Sequence, residues 1–308
     1  MLKVNNLCKK FGRFTAVDNL TFHVPEGEIF GFVGPNGAGK TTTMKIVAGL
    51  LKETSGQVYV DGVDALSDYR EVKEHIGYMP DFFGVYDNLK VSEYLDFYAS
   101  IYDIYGVEKD KICDDLLELV DLSNKKGEYV DSLSRGMKQR LCLARSLIHN
   151  PKLLILDEPA SGMDPRARFE MKEILKSLRD MGKTVIISSH ILSELSEICT
   201  SIGIIDKGKM VANGKVEDIM MKLQSNRTIK MRVINKVEEA MIIIKEMPKV
   251  INAGRNGNNI EISINGGDKE LQNILKKLIM NEIPVISFGE ESGKLEDVFM
   301  KVTERSEE

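Results

Sequence analysis

The stretch GPNGAGKT at residues 34–41 sets three glycines, a lysine and a threonine at the spacing G-x-x-x-x-G-K-[ST]. Glycines there let backbone N–H groups turn inward around phosphate oxygens. The lysine reaches the β and γ phosphates, and the hydroxyl after it is placed to ligate Mg²⁺. Gly34, Asn36, Gly37, Ala38, Gly39, Lys40, Thr41 and Thr42 are therefore candidate ligands of a nucleoside triphosphate, with Thr41 also a candidate metal ligand. The chemistry needs a strand before the loop and a helix after it. The apolar run ending at Val33 and the helical spacing of TTTMKIVAGLL supply both.

Two further stretches could complete a hydrolytic site. LLILDEP ends an apolar strand in two carboxylates, Asp157 and Glu158. One acid near the metal and one group that orients the attacking water is what phosphoryl transfer to water requires. TVIISSH places His190 just past a second apolar strand, where open parallel sheets hold their ligands. A third stretch, SLSRGMKQR, reads as a helix start capped by Ser134, with no side chain at Gly136 to block an anion. It is a second phosphate seat in a chain that already has one.

The elements that must position these residues follow from periodicity. Residues 2–33 alternate apolar and polar in short runs and read as strands. GQVYVDG and HIGYMP read as further strands. Residues 92–122 carry two amphipathic helices, and a third covers about 135–148. The strands KLLILDEP and KTVIISSH flank a helix beginning near Pro165, and IGIIDKGKMVANG is a hairpin turning at Lys207-Gly208. Apolar strands alternating with helices argue for an α/β fold with a parallel, helix-covered sheet. From about Met220 the pattern changes to strand 228–234, helix 236–246, strands 249–254 and 259–264 around Asn256-Gly257, helix 268–281, strand 284–289 and a last helix near Lys294. That order predicts a small ferredoxin-like α+β domain. The expected division is 1–223, with a helical subdomain at about 85–150, and 224–308.

Composition sets limits. The chain has 308 residues and a formal charge of −5, with both signs interspersed. That speaks against a nucleic-acid partner. Cys8, Cys113, Cys142 and Cys199 are scattered and read as reduced thiols of a cytoplasmic protein. The start MLKVNNLCKK has no apolar signal core, and no stretch approaches the roughly 20 apolar residues of a membrane span. Work on a membrane would need another chain's helices.

The order of phosphate loop, LSxGx segment, LLILDEPxSGxDP and a strand ending in His resembles the ATP-binding subunit of ABC transporters, over about residues 2–223. The closing KLEDVFMKVTE and the appended domain are similar to subunits serving separately encoded export permeases. The resemblance implies a P-loop ATPase domain with an antiparallel β subdomain and a helical subdomain. It implies ATP and Mg²⁺ as cofactors and hydrolysis of ATP coupled to transport. Phe11 would stack on adenine, Asp157 would hold Mg²⁺, Glu158 would polarise water and His190 would hold the γ-phosphate. Lys40 is counted with the catalytic groups. Ser134 and Gly136 would face nucleotide held by a second copy, so the partners would be a transmembrane permease and a second ATP-binding subunit; Asp164, closing the D-loop SGMD that begins at Ser161, is counted among the nucleotide-binding residues. The subunit would lie in the cytoplasm, on the inner face of the cell membrane.

Three positions, in two motifs, depart from the family pattern. Arg135 and Met137 replace Gly and Gln of LSGGQ. Arg135 either adds charge near the γ-phosphate or pairs with an acid. Asp81 stands where a metal- and water-touching Gln is usual. It remains a candidate ligand, but a carboxylate donates no amide hydrogen bond. Phe82, Phe83 and Tyr86 either line a permease groove or pack within the helical subdomain. Other readings are a soluble ABC-type ATPase acting on ribosomes or DNA, and a nucleotide-dependent regulator that does not hydrolyse. The terminal domain shows no cluster of catalytic residues and suits a structural or dimer-bracing role.

Overall fold

The computed structural model describes residues 1–81, 84, 86, 88–223 and 227–291, and side chains over the same residues except 220–223, 227 and 290–291. The chain divides into two compact units, Met1–Val216 and Glu217–Glu308.

The first unit opens with a hairpin of β1 (Leu2–Phe11) and β2 (Phe14–Val24). Next come β3 (Ile29–Val33), α1 (Lys40–Val47), β4 (Ser55–Val60) and β5 (Val63–Asp64). A short α2 (Tyr69–His75) leads into β6 (Ile76–Met79). The helices α3 (Val91–Ile101), α4 (Gly106–Leu119) and α5 (Arg135–Leu147) pack on one another as the helical subdomain. The unit closes with β7 (Leu153–Leu156), α6 (Pro165–Asp180), β8 (Thr184–Ser189), α7 (Leu192–Ser196), β9 (Ser201–Asp206) and β10 (Lys209–Lys215).

These strands form two sheets. One is antiparallel, in the order β2-β1-β4-β5; the other runs β10-β9-β3-β8-β7-β6. In the second, β9, β3, β8, β7 and β6 are parallel and only β10 is antiparallel, at the edge. Every residue of β3, β7 and β8 is buried, as strands covered on both faces must be. The main core joins the two sheets. Phe22 of β2 stacks on Phe30 and Phe32 of β3, with ring centroids 5.4 and 5.6 Å apart, and Met44 and Val47 of α1 pack into the same cluster. The parallel arrangement brings the C-terminal ends of β3, β7 and β8 together, so residues 34–41, 157–158 and 190 leave the sheet on one edge.

The sequence reading does not contain α2 or α7. Each is under three turns long, and α2 buries only Val72, so neither carries a readable apolar stripe. The helix read through TTTMKIVAGLL stops at Val47, before Gly49 turns left-handed with φ 65°.

The second unit holds α8 (Val216–Leu223), β11 (Arg227–Val233), α9 (Val237–Lys245), β12 (Val250–Asn256), β13 (Asn259–Ile264), α10 (Asp268–Met280) and β14 (Val285–Glu291). Its sheet is antiparallel in the order β12-β13-β11-β14. β13 thus lies between β11 and β12, which is the split βαβ of a ferredoxin-like domain. Ile229, Met231 and Val233 alternate with exposed Lys230 and Arg232, and with Ile260, Ile262 and Ile264 they meet Ala240, Ile244, Ile274 and Leu278 of the two helices. The helix expected near Lys294 lies outside the described residues.

Candidate nucleotide site

The loop after β3 owes its shape to its glycines. Gly39, at the N-cap of α1, is left-handed at φ 106° and offers no side chain to cap the helix. The N–H groups of the first turn therefore stay available to an anion. A Cβ on Gly39 would lie 2.5 Å from the Ala16 carbonyl oxygen, and one on Gly34 would lie 2.4 Å from that of Ile205. Lys40 folds back beneath this loop and is only 5% exposed. Its Nζ donates to the carbonyls of Gly34 (2.7 Å) and Pro35 (3.2 Å) and faces Glu158 Oε1 at 3.5 Å.

The two acids after β7 are held differently. Asp157 is 1% exposed, and its Oδ1 accepts from the Ser188 hydroxyl at 2.7 Å. Its Oδ2 is buried and has no partner among the described residues. Ser188 also accepts the Glu158 N–H at 2.9 Å, so one hydroxyl spans both acids. Glu158 takes a left-handed backbone, φ 50°, which is uncommon for such a residue. Its Oε2 accepts from His190 Nδ1 at 2.8 Å, the carboxylate being acceptor-only when ionised. Glu158 is thereby gripped between Lys40 and His190.

Asp81 lies in the same field. Burial pushes its carboxyl pKa up, and the charges of Asp157 and Glu158 add to that, against the opposing fields of Arg135 and His190. Tyr78 of β6 has a buried hydroxyl without a partner among the described residues. Burial and then the charges of Asp157 and Asp81 raise its pKa.

A cleft of roughly 370 Å³ connects these groups. Lys40, Thr41, Thr42, Asp81, Glu158 and His190 line it, and Phe11 and Phe14 of the first hairpin stand at the far side. The two rings are 49% and 63% exposed, and Lys9 Nζ lies over the Phe11 ring, 4.7 Å from its centroid. Asn36, Gly37 and Gly39 line the cleft as well, whereas Ser134, Gly136 and Asp164 do not. Ser134 caps α5, its hydroxyl accepting from the Met137 N–H at 3.3 Å. Gly136 abuts α6, where a Cβ would come within 2.8 Å of Ala167 Cβ. Asp164 caps α6, accepting from the N–H groups of Ala167 and Arg166 at 3.0 Å each, and these bonds hold its carboxyl below the usual range. Tyr86 is 53% exposed and meets Phe97 of α3 edge-on at 5.3 Å; Phe82 and Phe83 lie outside the described residues.

Ser188, Tyr78 and Phe14 line or support the site without having been singled out in the sequence, and Ser161, which opens the SGMD segment, lines it too. The parallel register sets Tyr78 beside Ile155 and continues into the Asp157 N–H bond to the Met79 carbonyl, 2.8 Å.

A glycine-wrapped anion seat, a buried acid with an open oxygen and a gripped glutamate on parallel strand ends define a P-loop ATPase. Comparison with known proteins narrows this. Residues 17–161 match the ABC transporter family model, and residues 214–303 match that of the C-terminal domain of DrrA1-3-like ATP-binding proteins. The linearmycin resistance ATP-binding protein LnrL of Bacillus subtilis is 32% identical over 308 residues, covering 99% of both chains. The bacitracin transport ATP-binding protein BcrA of Bacillus licheniformis is 42% identical over 212 residues, 68% of each chain. A solved ATP-binding cassette dimer in a post-hydrolysis state, bound to ADP and Pi, is similar with a TM-score of 0.63 and 27% identity, over 70% of this chain and 99% of that one. The chain belongs to the ATP-binding proteins of ABC transporters. Its reaction is ATP hydrolysis coupled to transport. The reading as an ATPase of ribosomes or DNA is not favoured. Among the described residues no helix is long and apolar enough to cross a membrane.

Proposed function

We propose that this chain energises a separate export permease of the antibiotic-resistance type, and that two copies close head to tail over two ATP molecules at the inner face of the membrane. The observation that carries the hydrolytic reading is the grip on Glu158: Lys40 at 3.5 Å on one oxygen and His190 at 2.8 Å on the other. With one oxygen held by His190, the carboxylate can orient a water through the other once Lys40 turns to the phosphates.

ATP would lay its adenine on Phe11 and its phosphates in the loop of Gly34, Asn36, Gly37, Ala38, Gly39, Lys40, Thr41 and Thr42. The triphosphate competes with Glu158 and the two carbonyls for Lys40, which frees Glu158 for the water. His190 holds the geometry of water and γ-phosphate. The donor set fits a hard divalent cation: Asp157 keeps one buried oxygen unpartnered, and the Thr41 hydroxyl begins the adjacent helix. Mg²⁺ would thus be held by Thr41 and Asp157, with Asp81 contributing through water, and would neutralise phosphate charge. Ser134, Gly136 and Asp164 would serve the nucleotide of the second copy. The ferredoxin-like unit would brace that pair.

Phosphate release and ATP binding by Glu158→Gln test this reading. Turnover should fall about 100-fold or more, with ATP affinity within about threefold of wild type. Near-normal hydrolysis would remove the role assigned to Glu158.

A further inference from the structure

Arg135 stands where LSGGQ has glycine, and its side chain turns back onto its own chain. The guanidinium fills the volume a side chain at Gly162 would take. A Cβ there would lie 2.6 Å from Arg135 Cζ and Nη1 and 2.9 Å from Nη2. Gly162 is left-handed at φ 67°, so the turn bares its backbone to the planar group. The preceding residue, Ser161, lines the nucleotide cleft together with Asp81 and Glu158. Its N–H donates to the Glu158 carbonyl at 3.0 Å, and its own carbonyl accepts from Gln139 Nε2 at 3.1 Å. Helix α5 therefore holds this turn at two points, through Gln139 and through Arg135.

The charge balance gives the second half of the argument. Three carboxylates, Asp81, Asp157 and Glu158, converge where a triphosphate is to bind. Lys40 and His190 engage Glu158, and Ser188 engages Asp157. Among the described residues no cation lies within ion-pair distance of Asp81, and the charges of Arg135 and His190 oppose the burial and the neighbouring carboxylates that raise its pKa. An aspartate replacing a neutral glutamine adds a negative charge beside phosphates. A guanidinium replacing a glycine returns a positive one. Arg135 reaches the turn whose Ser161 lines the same cleft as Asp81.

We propose that Arg135 is a positioning residue for hydrolysis in its own chain: seated on Gly162, it fixes the turn that carries Ser161 and supplies the countercharge that lets aspartate occupy position 81. This rests on the nucleotide reading above.

The test uses the full chain with Arg135→Met, Arg135→Lys, Asp81→Asn and the Arg135→Met/Asp81→Asn pair. Arg135→Met should lower kcat for ATP about tenfold with KM within about twofold, and Arg135→Lys should recover most of that. Against Asp81→Asn, the added Arg135→Met should cost less than about threefold, because the charge it balanced is gone. Hydrogen–deuterium exchange of the nucleotide-free chain should show faster amide exchange at 160–163 in Arg135→Met and not in Arg135→Lys. Equal losses in both backgrounds, with unchanged exchange at 160–163, would overturn the proposal. A wild-type chain with no ATPase activity would instead remove the nucleotide reading, and the exchange comparison would still decide whether Arg135 pins the turn.

Discussion

At the scale of single residues, the site works by denying its charges any freedom. Glu158 is held from two sides, and Asp157 has one oxygen bonded and one left for a ligand. The residue joining them is Ser188, whose hydroxyl donates to Asp157 and accepts from the Glu158 backbone. Ser188→Ala should strand a buried carboxylate oxygen and a backbone N–H. We expect a loss of about 1–3 kcal/mol in unfolding free energy, read from a denaturant midpoint, together with reduced turnover. A midpoint unchanged from wild type would show that the bridge contributes nothing. The phosphate loop and the acid pair were legible in the sequence because their chemistry is written in contiguous residues. Ser188 was not, because its partners lie 30 and 31 positions away and only the β7–β8 register brings them near. Tyr78 was hidden because only the β6–β7 register sets it beside the strand that carries the acids.

At the scale of elements, the strand-to-helix turns set the site's tolerance. β3 meets β9 in parallel, and the turn leaving β3 passes so close to β9 that Gly34 has no room for a methyl group. Gly34→Ala should therefore shift backbone rather than side chains. We expect a stability loss of about 3 kcal/mol and loss of the thermal shift that ATP gives the wild-type chain. A variant with wild-type melting behaviour and an intact ATP shift would contradict that crowding. The sheet's strands were readable from their apolar runs, Leu153–Leu156 and the Val185–Ile187 centre of β8. The ferredoxin-like order was readable from the alternation at Ile229, Met231 and Val233 and from Asn256-Gly257, whose Gly257 has φ 59°. Helices α2 and α7 were too short to print a period. The reach of Arg135 to Gly162 was unreadable as well, since it depends on how α5 meets the turn after β7.

At the scale of the whole molecule, Ser134, Gly136 and Asp164 stand outside the cleft that collects the other candidates. A helix start capped by Ser134 and set apart from the chain's own cleft makes sense if a second copy brings a nucleotide to it. The most direct measurement is light scattering of the Glu158→Gln chain with and without ATP and Mg²⁺. The account predicts twice the chain mass with ATP, the single mass without it, and no doubling when Ser134→Arg is added although ATP still binds. A chain that remains single while saturated with ATP, in a protein whose wild type hydrolyses at full rate, would contradict it.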